Sequence, residues 1–137
     1  MRSRFAACVL MLVFVLAAGT LASGGSSRPP RQWAIAYLAQ PTLVGHTIVQ
    51  GPVLFTHDDA RMARGEPCTT VHLFEPGTGP IEEVAAFHCI PTSRAVVSKF
   101  TIRTRPNDEL GFGCILAEYQ FAGDDEGHGV PASVKTH

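Results

Sequence analysis

Beyond its first two dozen residues, the chain contains no apolar stretch that runs on long enough, or with a 3.6-residue period, to make a substantial helix. Short β-branched and aromatic runs are cut at close intervals by Pro, Gly, Asn and Asp. That rhythm specifies strands joined by turns. Expected strands are Thr42 to Val49, Val53 to His57, Thr69 to Phe74, Glu83 to Ile90, Ala95 to Thr104 and Leu110 to Phe121. Trp33 to Ala39 suits either a strand or a short helix, ending at Pro41. The intervening breaks are Gln50-Gly51-Pro52, the stretch from Glu75 to Glu82, Pro91-Thr92-Ser93 and Arg105 to Glu109. Between His57 and Cys68, Asp58 can cap one or two helical turns that stop at Gly65. The fold class is therefore all-β: a small antiparallel β-sandwich or barrel with at most one short helix. Connections this short exclude crossovers, so antiparallel neighbours are expected.

The N-terminus has a different character. Arg2 and Arg4 precede an uncharged run from Phe5 to Ala18, and Thr20-Leu21-Ala22 fits a small-x-small cleavage site. This is the layout of a secretory signal peptide, shorter than a membrane-spanning helix. The expected organisation is a signal peptide over 1–22, a Gly/Ser/Pro linker over 23–31, one β-rich domain over 32–122 and a polar flexible tail over 123–137. An exported product, periplasmic or extracellular, has no stable membrane span once the signal is removed. Lys plus Arg total 11 against 12 Asp plus Glu, and cleavage removes two of the arginines. The acidic balance leaves no basic face for nucleic acid. Trp33, Tyr37 and the phenylalanines are spaced as core and signal residues, not as a stacking platform.

Export makes a disulfide the expected state of paired cysteines. Cys8 leaves with the signal, so Cys68, Cys89 and Cys114 remain. A hairpin centred on Thr78 and Gly79 pairs positions whose numbers sum to 157. Phe74 then faces Glu83, His72 faces Ala85, Thr70 faces Phe87 and Cys68 faces Cys89. Opposed Cα atoms in such a ladder lie within bridging range. A Cys68–Cys89 disulfide closing a loop of about 20 residues contributes about 3 kcal/mol. Cys114 is left over, in strand alternation with Phe112 and Leu116, a setting for a buried thiol.

Several groupings suggest chemistry. His57 with His72 or His88 is the candidate metal pair, in a chain that otherwise calls for no cofactor. His57-Asp58-Asp59 ends a strand before a turn. Asp58 and Asp59 mark it as a candidate functional loop, where an Asp can fix the tautomer of a ligating or catalytic His. His57 and Asp59 also form the one acid–base pair a small secreted enzyme could use. His88-Cys89 is adjacent, and neighbours on a strand point to opposite faces, so the two do not share an ion easily. Cys68-x-x-x-His72, with His46 or His57 upstream, resembles the ligand order of blue-copper proteins. It departs from that pattern because no Met follows His72 and both residues fall in one expected strand. Asp124-Asp125-Glu126 with His128 lacks the alternating spacing of a calcium loop and reads as a solvated acidic tail. There is no GxSxG, CxxC or phosphate-binding Gly-rich loop. The expected function is a non-enzymatic, monomeric or weakly associating β-domain that binds a protein partner or small ligand, with metal binding through His57 and a His57/Asp59 enzyme as alternatives.

Overall fold

A computed structural model describes residues 28–132. The expected signal peptide, most of the linker and the last five residues lie outside it. The elements are β1 (Arg31–Val44), β2 (Thr47–Asp58), α1 (Asp59–Ala63), β3 (Thr69–Glu75), β4 (Gly79–Phe87), β5 (Ile90–Ser93), β6 (Thr101–Pro106), β7 (Cys114–Gln120) and β8 (Glu126–Gly129). The domain is all-β with one short helix. Among the described residues no helix is long and apolar enough to cross a membrane.

The eight strands form a single sheet in the order β4-β3-β2-β1-β7-β8-β5, with β6 pairing β7. The sheet has to roll. Six ladder steps separate β4 from β5, about 29 Å if the sheet were flat. Yet only His88 and Cys89 join Phe87 to Ile90, a span of at most about 11 Å. The two outer strands are thus drawn together at one end. Every pairing is antiparallel except β1 with β7, parallel over Thr42–Cys114 and Leu43–Ile115. The long chain between those two strands permits what a short connection would not.

The β1–β2 hairpin departs from expectation in three ways. Its turn is Gly45-His46, with Val44 opposite Thr47 and Gly45 at φ +64°, as a two-residue hairpin requires at its first position. Pro41 does not end β1, because the register shifts between Leu38 and Thr42 and absorbs it in a bulge. Gln50 Nε2 donates to the Ala39 carbonyl across that bulge, at 3.1 Å. Gln50-Gly51-Pro52, expected as a turn, is strand.

A further departure concerns which face of β1 is buried. Trp33 and Tyr37 are 68% and 74% exposed, with Ile35 between them also exposed. The register explains this. Ala34 and Ala36 lie opposite Phe55 and Val53, which are fully buried. Two large side chains on β2 fill that part of the core and leave room only for alanine across the ladder. The aromatic residues of β1 must then point outward.

The core runs through Leu38, Val44, Val49, Val53, Phe55, Val71, Phe87, Leu116, Tyr119 and Phe121. Phe100 packs on Phe55 and Phe121, with ring centroids 5.3 Å apart in each pair. Two other expected strands shift. Residues 94–100 are irregular and β6 begins at Thr101; Gln120 Nε2 donates to the Ala95 carbonyl and the Gly123 N–H to the Val97 carbonyl. Residues 107–113 form a turn before β7, closed by bonds between Asn107 and both Gly111 and Gly113.

The expected tail is the largest correction. Glu126–Gly129 is strand β8, lying between β7 and β5, and His128 is fully buried. Gly127 and Gly129 permit this close packing: a Cβ on Gly127 would sit 2.8 Å from Glu118 Cδ, and one on Gly129 3.2 Å from the Ile90 carbonyl oxygen.

Candidate metal centre

Residues from β2, β3, the β4–β5 link and β8 meet at the end of the rolled sheet where its outer strands approach. Val53, Phe55 and His57 alternate inward along β2. His57 stands opposite Thr69, and the Asp58 N–H donates to the Cys68 carbonyl at 3.0 Å. That pairing sets Cys68 beside His57. Cys89, next after His88, turns inward while His88 is exposed.

The β3–β4 register corrects the expected one. Glu75 pairs with Gly79, Phe74 with Pro80, His72 with Glu83, Val71 with Ala85 and Thr70 with Ala86, with two shifts along the way. Each shift adds a residue to β4, so the pairing sum climbs from 154 at the turn to 156 at the open end. Cys68 and Cys89 are therefore not directly opposed. Their sulfurs still meet, unbonded, at 3.1 Å, because Cys89 has left the ladder and folds back. Its N–H also donates to Cys68 Sγ at 3.3 Å.

Cys89 Sγ lies 3.4 Å from His57 Nε2 and 3.5 Å from His128 Nδ1. The two imidazoles face each other with centroids 4.3 Å apart. Tyr119 stacks on His128 at 17° and 4.9 Å, and its hydroxyl bonds the Thr69 hydroxyl. His57 and Cys68 are each 1% exposed and Cys89 8%.

The electrostatics of the group are asymmetric. The Cys89 thiol donates to Cys68, and His57 and the Cys89 N–H reinforce that bond, holding Cys68 far below an ordinary thiol. The same bond, together with burial, pushes Cys89 up. Burial first, then the neighbouring His57, lowers His128 to about 4, so it is a neutral imidazole. Asp59 Oδ1 stands 3.5 Å from His57 Nδ1. A carboxylate there can accept from Nδ1–H and fix the ring so that Nε2 faces the sulfurs, donating to a thiolate or, once deprotonated, offering its lone pair to a metal.

The ligand atoms of His57, Cys68 and Cys89 all lie within 4.8 Å of one another, a group able to hold a metal ion. Zinc–ligand bonds of about 2.3 Å to sulfur and 2.0–2.1 Å to nitrogen give tetrahedral edges of about 3.5 Å between S and N and 3.8 Å between two sulfurs. The Cys89–His57 edge already matches, and the sulfur pair would open by about 0.7 Å. Two thiolates and an imidazole suit zinc or a softer metal.

The expected histidine partners are elsewhere. His72 lies opposite Leu54, three ladder positions from Thr69, and its Nε2 is 3.7 Å from Glu83. His88 points to solvent. Of the Asp pair, Asp58 caps α1 by accepting from the Ala60 N–H at 2.9 Å and bonds Arg31 at 2.8 Å. Only Asp59 reaches the centre. Cys114 is partly exposed, not buried, beside Gln40 at the β1–β7 contact. The acidic segment is not a solvated tail: Arg28 pairs with Glu126 at 2.8 Å, Asp59 at 3.4 Å and Asp124 at 3.6 Å, and Asp124 is buried. An internal cation of the chain occupies the place a hard metal ion would take. His128 is the residue that sequence reasoning missed. The signal for it was the alternation Gly127-His128-Gly129, small residues flanking a large one in a strand with close neighbours. Comparison with protein-family models, curated proteins and solved structures finds no match to this chain.

Proposed function

We propose that this is an exported metal-binding β-domain that holds a zinc-like dication through Cys68, Cys89 and His57. The observation that carries this reading is the convergence of three buried donors from three separate chain segments on one point. Such a metal ties β2, β3 and the β4–β5 link together where the sheet rolls shut. The burial of all three donors favours retention of the ion over exchange with substrate, so the proposed role is binding and bracing rather than catalysis. His57 and Asp59 act together here as ligand and support.

The test is titration of the reduced, metal-free protein with Zn²⁺, and with Co²⁺ as an optical probe. One equivalent is expected, with thiolate-to-cobalt charge-transfer bands. A ligand at a hundred times its dissociation constant raises unfolding free energy by about 2.7 kcal/mol. Cys68→Ser and Cys89→Ser should each abolish the bands. A reduced protein that binds no stoichiometric metal would sink this reading.

A second reading, partner binding, is favoured by a different observation. Trp33, Ile35 and Tyr37 form an exposed apolar row, beside a groove of about 570 Å³ whose lining includes Trp33, Ile35, Leu54, Phe74 and Arg61. An apolar row of this kind on a sheet face suits an apolar segment of a protein partner.

A further inference from the structure

The metal centre and the expected disulfide draw on the same two sulfurs, so the two states exclude each other. We propose that the Cys68–Cys89 pair is a redox gate on the centre: oxidation by a small peroxide joins the sulfurs and expels the metal, and a dithiol reductant restores the site. This inference rests on the metal-binding reading and names its regulation.

Three features carry it. First, the sulfurs lie 3.1 Å apart. A disulfide needs about 2.05 Å and a metal-bridged pair about 3.8 Å, so both states lie within about 1 Å of the same arrangement. Second, Cys89 belongs to the two-residue link between β4 and β5 and not to a ladder. It can move that distance without breaking strand pairing. Third, the pair is isolated. Cys114, the other cysteine among the described residues, lies on β7 beside Gln40, away from the centre. Burial of Cys68 at 1% and Cys89 at 8% admits a small oxidant and excludes a bulky one, and makes Cys89 the first sulfur reached.

The chemistry balances as follows. In the loaded centre both sulfurs are thiolates. The Cys89 thiolate attacks one oxygen of hydrogen peroxide; the O–O bond breaks, an S–O bond forms, and one proton is taken up as water leaves. The Cys68 thiolate then attacks the Cys89 sulfenic acid; an S–S bond forms, and hydroxide leaves as water with a second proton. Two thiolate sulfurs have given up two electrons to the peroxide, and the dication departs. With only His57 left from the donor set, the protein no longer holds the ion.

The experiment loads the reduced full chain with one equivalent of Zn²⁺ and adds hydrogen peroxide beside a chromophoric chelator. Thiols are counted in parallel and the peptides mapped. The expected result is one Zn²⁺ released for every two thiols lost, a Cys68–Cys89 disulfide in the map, and recovery of the bound equivalent after a dithiol. Cys114→Ser should behave as the native protein does. Retention of zinc under peroxide, or its release with sulfinic acid or a Cys114 linkage in place of the Cys68–Cys89 bond, would overturn the gate while leaving metal binding intact. A reduced protein that takes up no zinc at the outset overturns both.

Discussion

His57 reaches the thiols through Nε2 because Asp59 stands behind its other nitrogen. Asp59→Asn keeps the shape and removes the charge, so it should weaken zinc binding by about ten- to a hundredfold. Competition against a chelator of known affinity measures this, and an unchanged affinity would deny Asp59 its supporting role. His128 gives a separate signature in the metal-free protein. It is faced by His57, Cys68, Cys89, Tyr119, Glu126 and Asp124, with Arg28 beyond the carboxylates, and titrates near 4 when folded. Unfolded, it titrates near 6.5. Between those values the unfolded chain binds the extra proton, so this contribution to stability is full above about pH 6.5 and is lost as pH falls toward 4. Urea midpoints should therefore drop across that window, and His128→Gln should flatten the drop. At this scale the sequence pointed to His57 and Asp59, because they close a strand before a turn, and to Cys68 and Cys89 as a disulfide pair, because a hairpin brings them together. It misplaced His128, since its neighbours are acidic and glycine-rich, and the Arg28 ion pairs that offset the burial of that segment come from far along the chain.

Among the elements, β1 and β7 depend on one glycine. Gly113 has φ +73° and precedes the parallel contact; a Cβ there would lie 2.4 Å from the Pro41 carbonyl oxygen. Gly113→Ala combines left-handed strain with a clash against backbone and should cost about 2 to 4 kcal/mol in chemical denaturation. Asp58→Ala removes the cap of α1 and its bond to Arg31, for a loss of about 1 kcal/mol. The helix was legible because a capping Asp and a terminating Gly bracket it. The hairpin turn was not, since Gln50-Gly51-Pro52 carries stronger turn chemistry than Gly45-His46. What overrode that local signal was the pairing of β1 with β2 along nearly their full length, with the bulge at Pro41 taking up the mismatch. The β3–β4 register was lost for a similar reason: bulges are invisible to a count that assumes a regular ladder.

For the molecule as a whole, alternation identified an all-β domain, but it could not tell one rolled sheet from two stacked ones. That choice depends on which strands become neighbours across long stretches of sequence. Nor could it reveal that β1 carries its large side chains outward. Trp33 is the chain's single tryptophan and is mostly exposed, so its emission should be that of a solvated indole and should shift to the blue only when the outer face is covered. Emission already blue in the isolated, dilute protein would contradict the exposed row. Ionic pairing also has a global part. Glu118 on β7 receives Arg94 and Arg103 from opposite sides, at 2.9 and 2.8 Å, joining the segment after β5 to β6 beneath β8.

The strand order, finally, bears on how the chain comes into being. Synthesis proceeds from the N-terminus, and β1 and β2 form a local hairpin almost as soon as they emerge. But β1 is a central strand, and its second neighbour, β7, begins some 70 residues later at Cys114. Until then the nascent chain carries an open hydrogen-bonding edge with an aromatic row beside it, a template for pairing with another copy. Docking of β7 covers that edge at Thr42 and Leu43, while the aromatic row stays exposed in the finished fold.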